Sequence, residues 1–504
     1  MIFLARFALR PMLATLAFLA YAASVLWLHQ THVSSWRLEQ VGGLLFATSY
    51  LYYGLPFGSV DSGLWDFVLK RAMATSVLDE GSVESFLTDA AQRNIPAGAA
   101  MPTTLDGSGL GYPFFATAAL LLFGPHSLSL VLGFIILLGA SVLAYQLRFR
   151  DDRLLAVPLL FFALTLVSLT PLVTSQAIAN SVPIGGYRFF VVAGILPTLH
   201  IVFELCDPAR ASARQASTWL LPALQLMLLL AVTSVRLSAM YFICAIIFAA
   251  LVSIVWTYRD APASRKAVAT KSAILLAAAL ITHLGAGFWR PSAYEELGFV
   301  SDPPWHRAFI GLGVHPDWPF GNLAAEYDCQ PELPKGLSRG VTDSNGHCVY
   351  VAAVKAGAEP GPTYGAQYEK LVRRAFFHVA FEYPRKMLET YLLYKPLWVF
   401  KALSASTNFS VSREDAAPIM LALAAQLAIL LVMTSPAAGD AGRLGRTCGA
   451  FALLAGFSLV PQLVAWSTIP TAPDLICYMF VGIAALLAAA MRLSLSRWFS
   501  PALR

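Results

Sequence analysis

Long apolar segments alternate with short polar segments along most of this chain. A membrane-spanning helix needs about 20 mostly apolar residues, and segments of this kind recur about ten times. The predicted spans are 11–30, 126–147, 154–174, 188–205, 218–235, 237–257, 272–289, 416–434, 448–467 and 475–491. The pattern therefore predicts an all-α polytopic membrane protein with about ten transmembrane helices.

Basic residues are concentrated in every second short loop. Arg148, Arg150 and Arg153 follow the second predicted span, and Arg210 and Arg214 follow the fourth. The short loops between them carry almost no basic residues, as the positive-inside rule requires. Arginine also far outnumbers lysine, as in proteins of GC-rich bacteria. We therefore predict a multi-pass protein of the bacterial inner (plasma) membrane with both termini in the cytoplasm.

Three apolar segments need a separate interpretation. The segment 11–30 follows Arg6 and Arg10 like a signal peptide, but its apolar stretch is long enough for an uncleaved anchor. The segments 41–57 and 391–403 are expected at the membrane interface. If either one alone spanned the membrane, every later basic loop would face outward.

The predicted spans leave two long segments outside the cytoplasm. Both mix tryptophan, tyrosine, glycine, proline and acids, as folded loops with binding functions often do. The resulting organisation is an anchor helix at 1–30, a first external loop with interfacial helices at 31–125, transmembrane helices 2–7 at 126–289, a second external loop at 290–415, and the last three helices with a cytoplasmic tail at 416–504.

Composition supports this class and narrows the functions. Hydrophobic residues make up 57% of the chain and charged residues 13%, whereas soluble domains carry about 25% charged residues. The net charge of +6 without a long basic run gives no reason to expect nucleic acid binding. Ionisable residues inside the predicted spans are scarce, which disfavours an ion-coupled carrier. The predicted partner is the lipid bilayer, and an active site is expected at its outer face.

Acidic residues of the first external loop are the candidates for acid–base chemistry. Asp61 and Asp66 lie in GSVDSGLWDF, and Asp106 lies in LDGSGLGYPFF. A carboxylate beside small residues at an apolar interface can act as a general base. The alternative is that Asp61 and Asp106 only cap helices, since aspartate before serine or glycine suits an N-cap. Four further acids are expected on a solvated helix face: Asp79, Glu80, Glu84 and Asp89.

The densest polar and aromatic run of the second external loop is 302–329. Its aromatic side chains suit stacking on sugars, its basic side chains suit a phosphate, and its other polar groups suit hydroxyls or a divalent ion. The alternative is a folded loop whose aromatic residues form their own core. The candidate substrate-binding residues are Trp305, His306, Arg307, His315, Asp317 and Asp328.

Two cysteines share the second external loop. A disulfide between Cys329 and Cys348 fits an oxidising compartment, and two free thiols are the alternative. A zinc site is disfavoured because the sequence contains no CxxC motif. No metal site is therefore assigned.

The first 150 residues resemble the GT-C fold of integral-membrane glycosyltransferases that use polyprenyl-phosphate-linked sugars. A basic start and one span lead to a long loop with early acids, then GYPFFATAALLLFG (111–124) and a span ending in arginines (125–150). The resemblance implies that 111–124 lies along the membrane and that Asp61, with Asp66 second, is the catalytic carboxylate. Asp61-Ser62 stands where many members have two adjacent acids.

The same resemblance implies the reaction. A hexosyl or pentosyl group would move from a polyprenyl-phosphate donor to a glycan, lipid or protein at the outer face. No cofactor is certain, and a divalent metal is optional. Enzymatic activity is favoured but left open. The alternatives are a flippase or transporter of lipid-linked saccharides and a non-catalytic membrane protein of envelope assembly.

Overall fold

The computed structural model describes eleven stretches of the chain and a few isolated positions between 15 and 280. Helices make up most of this described part, which confirms the predicted helical character. The stretches are 35–57, 59–72, 77–102, 111–149, 193–206, 217–235, 241–260, 272–278, 304–316, 343–359 and 365–397.

Residues 35–102 form a small folded unit that contains strands, and we call it the strand unit. β1 (Ser35–Arg37) pairs with β3 (Val77–Asp79), and β2 (Ser59–Asp61) pairs with β4 (Ala100–Pro102), both antiparallel. These strands correct the all-α prediction for this region. A strand of three residues is too short for the alternating pattern that reveals strands in a sequence.

Three helices complete the strand unit: α1 (Leu38–Tyr53), α2 (Ser62–Ala72) and α3 (Glu80–Ala91). Residues 41–49 of α1 are buried, and α1 packs against β2 and α3. The apolar segment 41–57 therefore begins with a helix packed against protein. It supplies much of the core of this unit.

Helix α4 (Gly111–Phe123) also packs against α1. A Cβ on Gly43 would lie 2.3 Å from a ring carbon of Tyr112, so only glycine lets the two helices approach this closely. α4 ends at Gly124, whose φ of +95° is a conformation that other residues rarely adopt. The predicted stretch 111–124 is thus a helix of its own.

Helix α5 (Ser127–Phe149) follows directly. Among the described residues it alone is both long and apolar enough to cross a membrane. Three further apolar helices pack around it or around one another: α6 (Ile195–Cys206), α7 (Ser217–Val235) and α8 (Tyr241–Asp260). Of the predicted spans, 154–174, 416–434, 448–467 and 475–491 lie outside the described residues.

Polar contacts join these apolar helices. The Ser141 hydroxyl donates to Gln225 Oε1 at 2.9 Å, and Gln225 Nε2 donates to the Ser141 carbonyl at 2.7 Å. The Arg148 guanidinium binds both carboxylate oxygens of Glu204, which is fully buried. Ser141 of α5 thus has its partner on α7, and Arg148 of α5 has its partner on α6.

A second folded unit, which we call the histidine unit, comprises 304–316, 343–359 and 365–397. Its core contains Phe309, Leu312, Tyr368 and Val372. Its elements are α9 (Pro304–Ile310) with a 3₁₀ turn (Gly311–Val314), α10 (Asp343–Lys355), α11 (Ala366–Glu382), α12 (Pro384–Glu389) and a π-helical turn (Thr390–Tyr394).

Candidate functional site

The first candidate base, Asp61, ends β2 and caps α2. Its Oδ1 accepts hydrogen bonds from the backbone N–H groups of Gly63 at 2.9 Å and Leu64 at 3.1 Å. The residue is only 2% exposed, and its own N–H donates to the hydroxyl of Ser49. The structure therefore shows the capping role that the sequence left open as the alternative.

A loop of the same unit closes over this carboxylate. The N–H of Gly98 donates to both Asp61 oxygens, at 3.0 and 2.9 Å. The N–H of Ala99 donates to the Ser62 hydroxyl at 2.8 Å. A Cβ on Gly98 would lie 2.1 Å from that hydroxyl oxygen, so a larger residue would push the loop away. Asp61 thus binds three backbone donors and is shielded from solvent.

The other predicted acids of the first loop differ from Asp61. Asp66 lies on α2, one turn beyond the cap, and its side chain is exposed. The flanking Trp65 and Phe67 pack against the core of the strand unit. Asp106 lies outside the described residues. Of the described candidates, Asp66 is therefore the carboxylate that a substrate could contact while Asp61 continues to cap α2.

The acids expected on a solvated helix face have specific partners instead. Asp79 caps α3 through the N–H of Ser82 at 2.6 Å, and Glu80 accepts the indole N–H of Trp36 at 2.7 Å. Glu84 accepts the N–H of Ser127 at 2.8 Å and contacts His126. The helical spacing of these acids predicted a polar helix face, but it did not indicate which of them caps a helix.

Glu84 connects the strand unit to the first turn of α5. Burial raises the pKa of this carboxyl, but the hydrogen bonds from Ser127 and His126 outweigh it, so the net shift is downward. The ionised form is therefore favoured at the start of a helix, where the helix dipole also favours negative charge. This contact holds the strand unit against the start of α5.

In the histidine unit, His306 lies inside the protein. The residue is 4% exposed, and its Nδ1 lies 2.6 Å from the Tyr368 hydroxyl. A Cβ on Gly346 would lie 2.4 Å from that same nitrogen, so α10 packs directly against His306 and Tyr368. The predicted phosphate-binding role of His306 stays a prediction, and the observed contacts are those of a core residue.

A buried carboxylate holds the start of α9. The two oxygens of Glu369 accept the N–H groups of Trp305 and His306, each at 2.9 Å. Burial raises the pKa of Glu369, while these backbone hydrogen bonds oppose the shift. Glu369 is therefore an N-cap supplied by a distant helix, α11, and the sequence analysis did not identify it.

Two further candidates of the run 302–329 lie on α9: Trp305 and Arg307. The indole of Trp305 packs against the rings of Phe376 and Phe377, with centroids 5.6 and 5.2 Å apart. Arg307 is half-buried on α9. Asp317 and Asp328 lie outside the described residues. Stacking of Trp305 thus involves the protein's own aromatic residues, which is the alternative that the sequence left open.

His315 lies under the π-helical turn. Its Nε2 is 3.2 Å from Glu389 Oε2, and its ring meets that of Tyr394 edge to face with centroids 4.5 Å apart. Glu389 also accepts from Arg385 at 2.9 Å. The hydrogen bonds from His315 and then Arg385 lower the pKa of Glu389. His315 therefore joins the 3₁₀ turn to the end of α12.

Lys395 follows the π-helical turn and is fully buried. Its ammonium nitrogen lies 4.3 Å from the centre of the Tyr391 ring. Burial lowers the pKa of Lys395 to about 7 and raises the pKa of Tyr391 to about 12. This lysine was not among the predicted site residues. Its position inside the apolar run YLLYKPLW was the available indication of burial.

The cysteines and possible metal ligands were also predicted from the sequence. Cys348 is disulfide-bonded, and Cys329 lies outside the described residues, so their pairing stays a prediction. Within the described stretches, no group of three or more histidine, cysteine, aspartate or glutamate side chains is arranged to hold a metal ion. Several of the described carboxylates instead bind backbone N–H groups, indole, histidine or arginine.

Comparison with known proteins finds no matching family model, no matching curated protein and no matching solved structure. The resemblance to the GT-C fold therefore stays a hypothesis that rests on the arrangement of residues 1–150. The geometry described above is the basis for the function proposed next.

Proposed function

We propose that the chain is a polytopic membrane protein and that it acts as a glycosyltransferase at the outer face of the membrane. A polyprenyl-phosphate-linked sugar would be the donor, and a glycan, lipid or protein would be the acceptor. The proposal rests on how the described helices align with the predicted topology.

Contacts between helices occur at levels that agree with the predicted directions. Ser141 and Gln225 lie near the middle of two predicted spans, and they are hydrogen-bonded to each other. Arg148 and Glu204 both lie at predicted cytoplasmic ends, and they form an ion pair. Had the chain threaded the membrane in another order, these partners would lie at different depths.

The outer level shows the same agreement. A Cβ on Gly111 would lie 2.1 Å from Ser234 Oγ, at the predicted outer end of the fifth span. Phe190, at the predicted outer end of the fourth span, packs against Phe115 with ring centroids 4.4 Å apart. This agreement at three levels supports the predicted relative directions of these helices, and the basic loops assign the cytoplasmic side.

The surface of these helices also favours a membrane. Large apolar side chains point outward from α4, α5, α7 and α8, and they would be costly to expose to water. The most exposed of them on these four helices are Leu121 at 73%, Leu122 at 72%, Val255 at 71%, Leu220 at 69% and Met227 at 67%. Lipid chains would cover such side chains without penalty.

The disulfide at Cys348 supports an outward position of the histidine unit. Disulfides form and persist in oxidising compartments such as the bacterial periplasm. The topology predicts that residues 290–415 face that compartment. The bonded state of Cys348 agrees with this prediction.

We assign the role of base to Asp66 and a positioning role to Asp61. Asp61 is enclosed by backbone donors, so it orients α2, which carries the exposed Asp66. In the proposed reaction Asp66 takes the proton of the acceptor hydroxyl as that oxygen bonds to the anomeric carbon. The bond from this carbon to the phosphate oxygen breaks, and polyprenyl phosphate leaves with the electron pair.

The test compares three aspartates of one unit. Asp66→Asn removes the proposed base, Asp61→Asn keeps a capping oxygen but loses the charge, and Asp79→Asn changes a cap of α3 that has no proposed role in catalysis. The readout is the surface glycan of a deletion strain complemented with each variant at a matched level of membrane protein.

We expect Asp66→Asn to abolish the glycan, Asp61→Asn to reduce it, and Asp79→Asn to leave it unchanged. Loss of a general base lowers rates by about 10²–10⁴-fold, which a glycan assay detects readily. A normal glycan in the Asp66→Asn strain would exclude the assigned base.

One observation favours a second candidate, a non-catalytic protein of envelope assembly. Asp61, the acid closest to the family position, is fully used as a cap. This candidate predicts that Asp66→Asn behaves like the parent chain, whereas Asp61→Ala lowers the amount of folded protein. The glycan of the Asp66→Asn strain therefore separates the two functions, and an added Asp61→Ala strain tests the structural role of the cap.

A further inference from the structure

Helix α11 has a buried face and an exposed face of different character. The buried face packs against α9 and α10 through Tyr368, Val372 and Val379. The exposed positions recur at helical spacing on the opposite side. They are Ala366, Lys370, Arg373, Arg374, Phe377, His378, Phe381 and Glu382.

The exposed face changes from basic to aromatic along the helix. Lys370, Arg373 and Arg374 occupy its middle, and Phe377 and Phe381 follow toward its end. Phe381 is 82% exposed, and its ring stacks on that of Phe377 with centroids 6.5 Å apart. The ring of Phe377 also contacts Trp305, with centroids 5.2 Å apart, so Phe381 is the ring that projects furthest into solvent.

The next segment continues the apolar surface. Leu388 is 61% exposed, Leu392 is 75% exposed and Leu393 is 54% exposed. They lie on α12 and the π-helical turn, directly after Phe381 in the chain. The charges around them are largely paired: His378 with Glu382, and Arg385 with Glu389.

We propose that this surface, formed by residues 370–393, seats the histidine unit on an anionic lipid bilayer. Lys370, Arg373 and Arg374 bind lipid phosphates, while Phe377, Phe381 and the three leucines enter the outer part of the acyl region. The inference rests on the membrane location in the proposed function but not on catalysis.

The dimensions of the helix suit this arrangement. Arg374 and Phe381 are seven residues apart, which is about 10 Å along an α-helix. Interfacial helices bury their apolar side chains about 5–10 Å into the boundary between headgroups and acyl chains. In the proposed arrangement the C-terminal end of α11 points into the bilayer, so this axial distance separates headgroup phosphates at Arg374 from hydrocarbon at Phe381.

The charge of the surface determines which partner it fits. The basic row contains three cations, and Glu382 on the same face is paired with His378. An anionic headgroup layer attracts such a row, whereas a neutral apolar protein surface would leave it unpaired. An anionic bilayer is therefore the occupant that satisfies both halves of the surface.

The test uses the full chain in nanodiscs of phosphatidylethanolamine and phosphatidylglycerol. A fluorescent NBD label is placed on Phe381→Cys, on Ala366→Cys near the start of α11, or on Leu143→Cys on the exposed face of α5. Cys244 and the other cysteines outside disulfides are replaced by serine. Quenching by a spin-labelled lipid is compared with quenching by aqueous iodide.

We expect the label at 381 to be quenched by the lipid and the label at 366 by iodide. Quenching of 381 by iodide, or protection of 381 from both quenchers, would overturn the inference, since the surface would then face water or protein. The label at 143 reports on the membrane location itself. If only 381 lacks lipid quenching, the docking surface is refuted while the membrane protein proposal stands.

The basic row is tested by the triple change Lys370→Gln, Arg373→Gln and Arg374→Gln. Lipid quenching at 381 should fall by about twofold or more in phosphatidylglycerol nanodiscs and stay unchanged in phosphatidylcholine nanodiscs. An equal response in both lipids would show that the row does not bind anionic headgroups.

Discussion

The strand unit and the histidine unit place their ionisable groups in opposite ways. In the strand unit, Asp61 and Glu84 are carboxylates held by backbone N–H donors. In the histidine unit, burial raises the pKa of Glu369 and lowers that of Lys395. The first arrangement favours the ionised form of Glu84, and the second favours the neutral forms of Glu369 and Lys395. Stability should therefore rise with pH through Glu84 and Lys395, in different pH ranges, and fall with pH through Glu369.

The two main caps show a second difference. Asp61 caps the helix that begins immediately after it, whereas Glu369 caps a helix 63 residues earlier in the chain. A local cap is visible in the sequence as an aspartate before small residues. A remote cap depends on tertiary packing, and no local sequence pattern indicates it.

The largest expected effect concerns Lys395. The unfolded chain holds this proton up to about pH 10.5 and the folded chain only to about 7, so stability should rise with pH between these values. Lys395→Met should remove that slope and stabilise the protein at pH 7 by about 4 kcal/mol. Chemical denaturation in detergent micelles from pH 6 to 10 measures both quantities, and a slope that persists in the variant would assign it to another group.

The next effect concerns the remote cap. Glu369→Ala leaves the N–H groups of Trp305 and His306 without their acceptor, which should cost about 3 kcal/mol of unfolding free energy. Glu369→Gln keeps one acceptor oxygen and should cost about 1 kcal/mol. Equal losses in the two variants would mean that charge, rather than the cap, is what stabilises α9.

The local caps should differ from each other by a smaller amount. Asp61→Ala removes a buried acceptor for three N–H groups and should cost about 2 kcal/mol. Asp79→Ala removes a single bond at an exposed position and should cost about 1 kcal/mol. The same denaturation assay ranks them, and the reverse order would contradict the described enclosure of Asp61.

The smallest effect concerns Glu84. Its pKa lies below the ordinary value of 4.5, so its contribution is present above that pH and is lost as the pH falls through the lowered value. Glu84→Gln should cost a few tenths of a kcal/mol at pH 7, because the pair with His126 is partly exposed. The difference from the parent chain should vanish once the pH falls below the lowered pKa of Glu84, whereas a constant difference would exclude ionisation as its cause.

The sequence predicted the features that depend on composition and on local pattern. The helical character came from apolar runs, and the Asp61 cap came, as an alternative, from the small residues that follow it. The stretch 111–124 was singled out only by the resemblance, as a segment lying along the membrane. The contacts of His306, His315 and Glu369 could not be predicted, because their partners lie 62 to 74 residues away. The three-residue strands were missed because pairing, rather than residue pattern, defines them.

The ion pair between Arg148 and Glu204 has a consequence for biosynthesis. The two residues are 56 positions apart, so a ribosome that adds about 5–20 residues per second supplies Glu204 roughly 3–11 s after Arg148. In a chain inserted during translation, the Arg148 side chain would lie among the lipid headgroups until Glu204 is inserted. Under the proposed membrane location, lipid phosphates are the counter-ions available to Arg148 during that interval.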